Sequence, residues 1–312
     1  MDITRFDRVG KFLAVVRYEI LWNVRKKKFL GMIIVAFALA TLSLAGGHIV
    51  SAITGDPVKL DPNFVIDSNV GLGGFGFFLF AIVTVMNTIS GEFESGTIVS
   101  LLAKPVSRTT VFFGKLFAAF LTLLVTYCFL IVYMAIGGSV IYGPQSNLHL
   151  VPLSLIGAVF STLVWISIVL LLGSTFKSSL IAALGALGIW FGTNIIGSIL
   201  GMLAGQGWIL TYIPGSGNTG YVDGLPQVGI LVSTGTDSIG PNLINYILHP
   251  SWNVTYYKIN IGGPTPGQGS WEQLYQEPLS TVISTSIVVS LIYFIAFVAI
   301  SWYLFRRAQI AE

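Results

Sequence analysis

Leu279 to Phe305 reads LSTVISTSIVVSLIYFIAFVAISWYLF, 27 residues without one Asp, Glu, Lys or Arg. At about 1.5 Å per helical residue, such a run crosses a hydrocarbon core of about 30 Å with some tilt. Lipid has no partner for bare backbone N–H and C=O groups, so the run must be helical. Five more charge-free runs of 20 to 26 residues precede it: Phe29–Ile53, Val70–Ile89, Leu116–Ile141, Val151–Phe176 and Leu180–Ala204. Composition agrees: 54% of the 312 residues are hydrophobic and 9% are charged, against about 25% charged in a soluble domain. So few charges cannot cover a soluble globule of this length, and the apolar content excludes a disordered chain. The expected fold class is an all-α integral membrane protein with six transmembrane helices. The single cysteine, Cys128, excludes an internal disulfide and a cysteine-based metal cluster.

Six spans put both termini on one side. Fourteen of the 16 Lys and Arg residues fall there, and only Lys59 and Lys258 fall on the other side. The excess of positive charge in cytoplasmic loops therefore puts both termini in the cytoplasm of a multi-pass cell-membrane protein. Acidic residues divide six to seven, leaving net +8 inside and −5 outside. Four parts follow. Residues 1–28 form a cytoplasmic amphipathic connecting helix, and 29–204 hold spans one to five with a cytoplasmic loop at 90–115. Residues 205–278 form an outer segment, and 279–312 hold the sixth span and a cytoplasmic tail. In the first part Phe6, Val9, Leu13, Val16, Ile20 and Val24 share one face at 100° per residue, with Arg5, Arg8, Lys11, Arg25 and Lys26 opposite. Such a helix lies in the inner headgroup layer of the lipid, either as an anchor or as a lever touching a soluble partner. The outer segment has 74 residues, rich in Gly, Pro, Ser, Thr, Asn and Tyr, with β-like stretches at Val228–Ser233 and Val254–Ile261.

The loop Ser90–Lys115 is the most informative polar stretch. Its spacing predicts a short helix with Glu92 and Glu94 near the start, where the positive dipole end favours them. Ile98, Leu101 and Leu102 form one apolar face, and Pro105 stops the helix. Periodicity alone makes this an interfacial loop helix. The order of residues goes further: Glu92, then Glu94-Ser95-Gly96-Thr97, Leu101-Leu102, Pro105-Val106-Ser107-Arg108 and Gly114-Lys115. In that order the chain resembles the permease (transmembrane) subunits of type-2 ATP-binding cassette (ABC) exporters. The resemblance implies that this segment is a coupling helix, docking in a groove of a separate cytoplasmic ABC ATPase, of which two copies are expected. It also implies a second permease, making a homo- or heterodimer, with the second and fifth spans facing the partner. ATP and Mg would sit in the ATPase. The outer segment departs from the compact loops common in the family, so no substrate carries over.

The chain itself has no Gly-x-x-x-x-Gly-Lys-Ser/Thr phosphate loop; Gly173-Ser-Thr-Phe-Lys-Ser lacks the second glycine. No cofactor, catalytic residue, metal site or nucleic-acid surface is expected in it. Its three histidines, His48, His149 and His249, stand far apart. The fifth span carries Gly188-x-x-x-Gly192 and Gly197-x-x-x-Gly201-x-x-x-Gly205, small residues that permit close helix approach within the subunit or at a dimer seam. Thr84, Asn87 and Asn194 either line a pathway or make interhelical hydrogen bonds. Asn253-Val-Thr255 is a glycosylation sequon or a plain surface asparagine. Phe75, Phe77, Phe78 and Phe80 fit a hydrophobic or peptide cargo, or rings that face lipid. The expected function is export driven by the partner ATPase. An autonomous channel or carrier is one rival, disfavoured because apart from His48 no ionisable residue lies within a run. The other is a non-transporting subunit that relays motion to an outer partner.

Overall fold

The computed structural model describes residues 3–25, 27–96, 106–199, 207–226, 228–260 and 270–307. Among them six helices are long and apolar enough to cross a membrane. The first span is Lys28–Thr54, the second Gly73–Glu94, in which the helix Gly73–Val85 runs through a turn into a further helical turn, the third Arg108–Ile141, the fourth Val151–Phe176, the fifth Ser179–Ile199 and the sixth Leu279–Arg307. The N-terminal helix and the end of the sixth span lie beside the start of the third, at the near side of the bundle, and the described strands between spans five and six pack at the start of the sixth, the far side. The spanning part is all-α, as hydropathy requires.

Two spans differ from their apolar runs. The third begins at Arg108 instead of Leu116, because Ser107 accepts a hydrogen bond from the Thr110 N–H at 3.1 Å and caps the helix early. The helix therefore carries Lys115 inside it. The second span begins three residues after Val70, since Asn69, Val70 and Gly71 adopt φ of 49°, 63° and 73°. Val70 is β-branched and resists that region; burial of its side chain holds it there.

The fourth span is the hub. In its most apolar window 61% of residues are buried, against 17% in the first and fifth spans, and the second, third, fifth and sixth spans all pack on it. Phe78 meets Trp165 edge-on at 5.3 Å, and Phe80 stacks on Tyr127 at 5.3 Å. Phe77, Phe78 and Phe80 are wholly buried in this core, while Phe75 reaches the surface. Three of the four rings thus serve neither end open to them in the sequence. They pack the subunit.

The N-terminal helix, Ile3–Arg25, turns differently from its hydrophobic pattern. Val9, Leu13 and Val24 are exposed. The side facing the bundle carries Phe12, whose ring lies 5.8 Å from Phe117, together with Val15, Val16 and Glu19. Tertiary packing overrides the stripe because an acid, Glu19, has a partner on the third span.

The far-side segment holds a four-stranded antiparallel sheet: β1 Thr219–Val222, β2 Ile230–Ser233, β3 Asn253–Asn260 and β4 Ser270–Pro278, in the order β2-β1-β3-β4. β2 and β3 coincide with the two β-like stretches. Val222, Val232, Val254 and Tyr256 face inward and pack on Leu279, Val282 and Ile283 at the start of the sixth span. Between β2 and β3 the chain makes a turn and a helix, Ile239–Leu248, laid along the fourth span. Gly157 and Gly240 let the two backbones touch: a Cβ on Gly157 would fall 2.2 Å from the Gly240 backbone.

Candidate coupling site

Second span and coupling segment meet at a turn, Met86–Ile89, followed by the one-turn helix Ser90–Glu94. Gly96, at φ 67°, closes that helix, a conformation glycine takes without steric cost. Ser95 donates its hydroxyl to the Gly91 carbonyl at 2.6 Å. Glu92 does lie in the first turn, but Glu94 ends the helix. The dipole favourable to Glu94 belongs instead to the fifth span. Its Oε1 accepts from the Ser179 N–H at 2.8 Å and the Ser178 hydroxyl at 2.9 Å, and its Oε2 accepts from the Ser179 hydroxyl. This satisfies N–H groups that a helix start leaves bare.

Glu92 faces the other way. Its Oε1 lies 2.8 Å from the Lys115 ammonium, which lies 2.5 Å from Glu19 on the N-terminal helix. Lys115 is 3% exposed, so the ion pairs are desolvated, and their worth depends on staying complete. Phe93, between the two acids, sits edge-on to Phe305 of the sixth span at 6.2 Å, with the Lys177 ammonium 5.6 Å over its ring. Lys177 ends the fourth span in a left-handed conformation. Further along, Val106 packs against the bundle core. Arg108 donates from Nη1 to the Arg306 carbonyl at 3.0 Å, tying the start of the third span to the end of the sixth. Three consecutive residues, Glu92, Phe93 and Glu94, therefore reach the third and sixth spans, the end of the fourth and the start of the fifth, and, through Lys115, the N-terminal helix. Such a constellation can hold helix ends in register. Among the described residues no cluster of His, Cys, Asp and Glu has the make-up of a metal site.

The whole chain now carries a family assignment. The family described as ABC-2 family transporter protein matches residues 13–310. The chain belongs to that family. No curated protein matches it. As an ABC-2 family permease it is a multi-pass membrane component of an ABC transporter, distinct from the nucleotide-binding subunit, and the family implies association with an ABC ATPase and dimerisation.

The remaining sequence-selected residues scatter. Thr97, Leu101, Leu102, Pro105, Gly201 and Gly205 lie outside the described residues. Cβ atoms added at Gly188 and Gly192 would meet nothing within 4 Å, whereas one at Gly197 would touch Leu210 at 3.5 Å. Thr84 is buried, donating to the Phe80 carbonyl at 2.7 Å beside Met32. Asn87 is exposed at the near-side turn. Asn194 donates to the Trp190 carbonyl at 2.8 Å and lines a far-side cavity. Thr84 and Asn194 thus each donate back to their own helix. Asn253 is exposed at the first residue of β3.

Two residues escaped sequence reasoning. Glu19 lies in a helix read only for its apolar and basic faces; its place three residues from Val16 was the available signal. Asp237 lay in a loop read as outer and polar, yet it is 3% exposed and packed against the fourth span. Its Oδ1 accepts from Trp165 Nε1 and the Thr236 hydroxyl, each at 3.3 Å. Nothing local marked it.

Proposed function

We propose that this ABC-2 permease exports its cargo when a separate cytoplasmic ATPase, holding ATP and Mg, moves the segment 90–108. The near side is then cytoplasmic, as the charge division of the loops requires. The carrying observation is the reach of Glu92, Phe93 and Glu94. A displacement of that short helix acts on four spans and the N-terminal helix together, so one six-span bundle rocks against a second permease and alternates access between them. The open faces of Gly188 and Gly192 support a seam with that second copy. In the double variant Glu94→Ala with Arg108→Ala, expression and insertion should stay near normal while the ATPase rate stops responding to cargo. Retained cargo-stimulated activity would sink the coupling role. Gly192→Leu should abolish permease pairing and leave the stability of the single subunit unchanged; a destabilised monomer with intact pairing would place the stripe inside the subunit.

One observation favours a second reading, relay of motion to a far-side partner. The turn Thr234–Asp237 is fastened to both the fourth and sixth spans: Ser161 donates to the Thr236 carbonyl and Ser286 to the Thr234 carbonyl, each at 2.7 Å. ATP-dependent cargo uptake into vesicles holding only the permease and ATPase decides between the two.

A further inference from the structure

The inward face of the far-side sheet is filled by the sixth span; the other face is not. Tyr221 of β1, Leu231 of β2, Tyr257 of β3 and Trp271 of β4 line a cavity of about 530 Å³, closed on the other side by Thr193, Asn194 and Gly197 of the fifth span. That size falls in the range of small-molecule sites, about 300–1,000 Å³. The Tyr221 and Tyr257 rings stand 6.1 Å apart at 63°, forming an aromatic corner. The third wall is the loop 213–219, which includes Gly215, Ser216, Gly217 and Thr219. Gly217 has φ 71°, and a Cβ there would lie 2.2 Å from the Gly235 amide, so only glycine fits.

This wall is preorganised. The Gly235 N–H donates to the Ser216 carbonyl at 2.9 Å, the Gly215 N–H to the Thr236 hydroxyl at 3.1 Å, and the Asn218 N–H to the Thr234 hydroxyl at 2.9 Å. The loop is thus pinned to the turn that the fourth and sixth spans hold, and a ligand against it would sense their movement.

The chemistry of the lining narrows the ligand. No Asp, Glu, Lys, Arg or His lines the cavity among the described residues. A charged ligand would lose its hydration without a counter-charge, which disfavours ionised cargo and free peptide termini. Residues bearing hydroxyls and amides, Thr193, Asn194, Ser216, Asn218 and Thr219, alternate with the aromatic ones, which disfavours an acyl chain, since polar groups shut off from water need partners. A ligand with apolar C–H faces for the rings and uncharged hydroxyls for the rim satisfies both. We infer that this cavity binds a neutral sugar unit, free or as the headgroup of a glycolipid. As a binding site it stands alone; as the cargo site it rests on the exporter reading above.

The test uses the full chain in lipid nanodiscs, with saturation-transfer NMR and maltotriose as probe, a trimer of glucuronate as charged control, and a second nanodisc containing a monoglucosyl diacylglycerol. Ring-proton transfer from maltotriose marks a free sugar as the source. Transfer seen only from the glucosyl lipid marks a headgroup. Either supports the site, provided Tyr221→Ala and Tyr257→Ala each weaken it at least tenfold while Tyr257→Phe, which keeps the ring, does not. Absence of transfer from both probes, equal binding of the glucuronate trimer, or binding indifferent to both alanine variants in folded protein would overturn it. Binding without sugar-stimulated activity of the assembled ATPase would leave the site standing and remove sugar as the exported cargo.

Discussion

On the near side Lys115 holds Glu19 and Glu92 through two desolvated ion pairs, and Glu94 caps the fifth span. On the far side the Thr234–Asp237 turn is held to the same bundle without an ion pair. Asn69, Ser161 and Ser286 donate to its backbone carbonyls, and Trp165 to its one carboxyl. Both arrangements tie separate spans together, but their physics differs. A buried ion pair gains little net while complete, because desolvation offsets the attraction, and costs most when one member leaves. Neutral hydrogen bonds to backbone are modest singly and fail one at a time. A charged clamp therefore behaves as a unit that a partner can shift as a whole. The neutral one behaves as a rigid mount for the sheet and the cavity beside it.

The sharpest way to break that contrast is Lys115→Met. It leaves Glu19 and Glu92 facing each other around an apolar side chain, and removal of one member of a buried ionic group typically costs about 3–5 kcal/mol. Thermal unfolding in detergent should show a large loss, partly restored when Glu19→Gln is added. A near-neutral Lys115→Met would mean that water reaches the site and that the clamp is no unit.

The far side should give a smaller response from packing. Gly157→Ala inserts a methyl into the contact with Gly240, and overpacking of this kind costs about 1–3 kcal/mol. The same measurement should register it, with the sheet and its cavity displaced and the near side unaffected. Coupled loss at the ATPase interface would show that the two clamps are one mechanical system.

The third response, at Asp237, is read as a slope with pH. Burial pushes its carboxyl up to about 7, against the hydrogen bonds from Trp165 and Thr236, which lower it. The folded chain then keeps a proton that the unfolded chain releases above the ordinary carboxyl value of 3.8. Stability contributed at low pH is therefore lost as pH rises from about 4 to about 7, and levels off beyond. Asp237→Asn keeps the acceptor for Trp165 and removes the titration, so its stability should be flatter over that window and little changed at pH 4. An identical slope in both proteins would place the titrating group elsewhere.

Hydropathy and charge are local properties, and each span could be read without knowing its neighbours. The boundaries that moved did so for reasons beyond local hydropathy: Ser107 extended the third span past its charges, and a left-handed turn at Asn69–Gly71 delayed the second. The coupling segment was legible as a series of residues, because resemblance preserves order. Its contacts were not. Glu19 and Lys115 are 96 positions apart, and nothing in a helix of alternating sign says which acid will be buried. The far-side segment was harder still. Polar, glycine-rich sequence reads as exposed loop, since its signal is the absence of apolar periodicity. Four strands, an aromatic corner and a buried carboxyl came from pairings between distant short pieces.

By itself the sequence determined six spans and the shared side of the termini. Both follow from the cost of placing charge and bare backbone in lipid, which each residue incurs wherever its neighbours fold. Only the tertiary structure decided that Glu92 and Glu94 grip different helices, that three phenylalanines fill the core, and that Asp237 is buried. Those depend on which groups meet across the bundle. A desolvated charge or an aromatic ring has no fixed energy until its partner is in place.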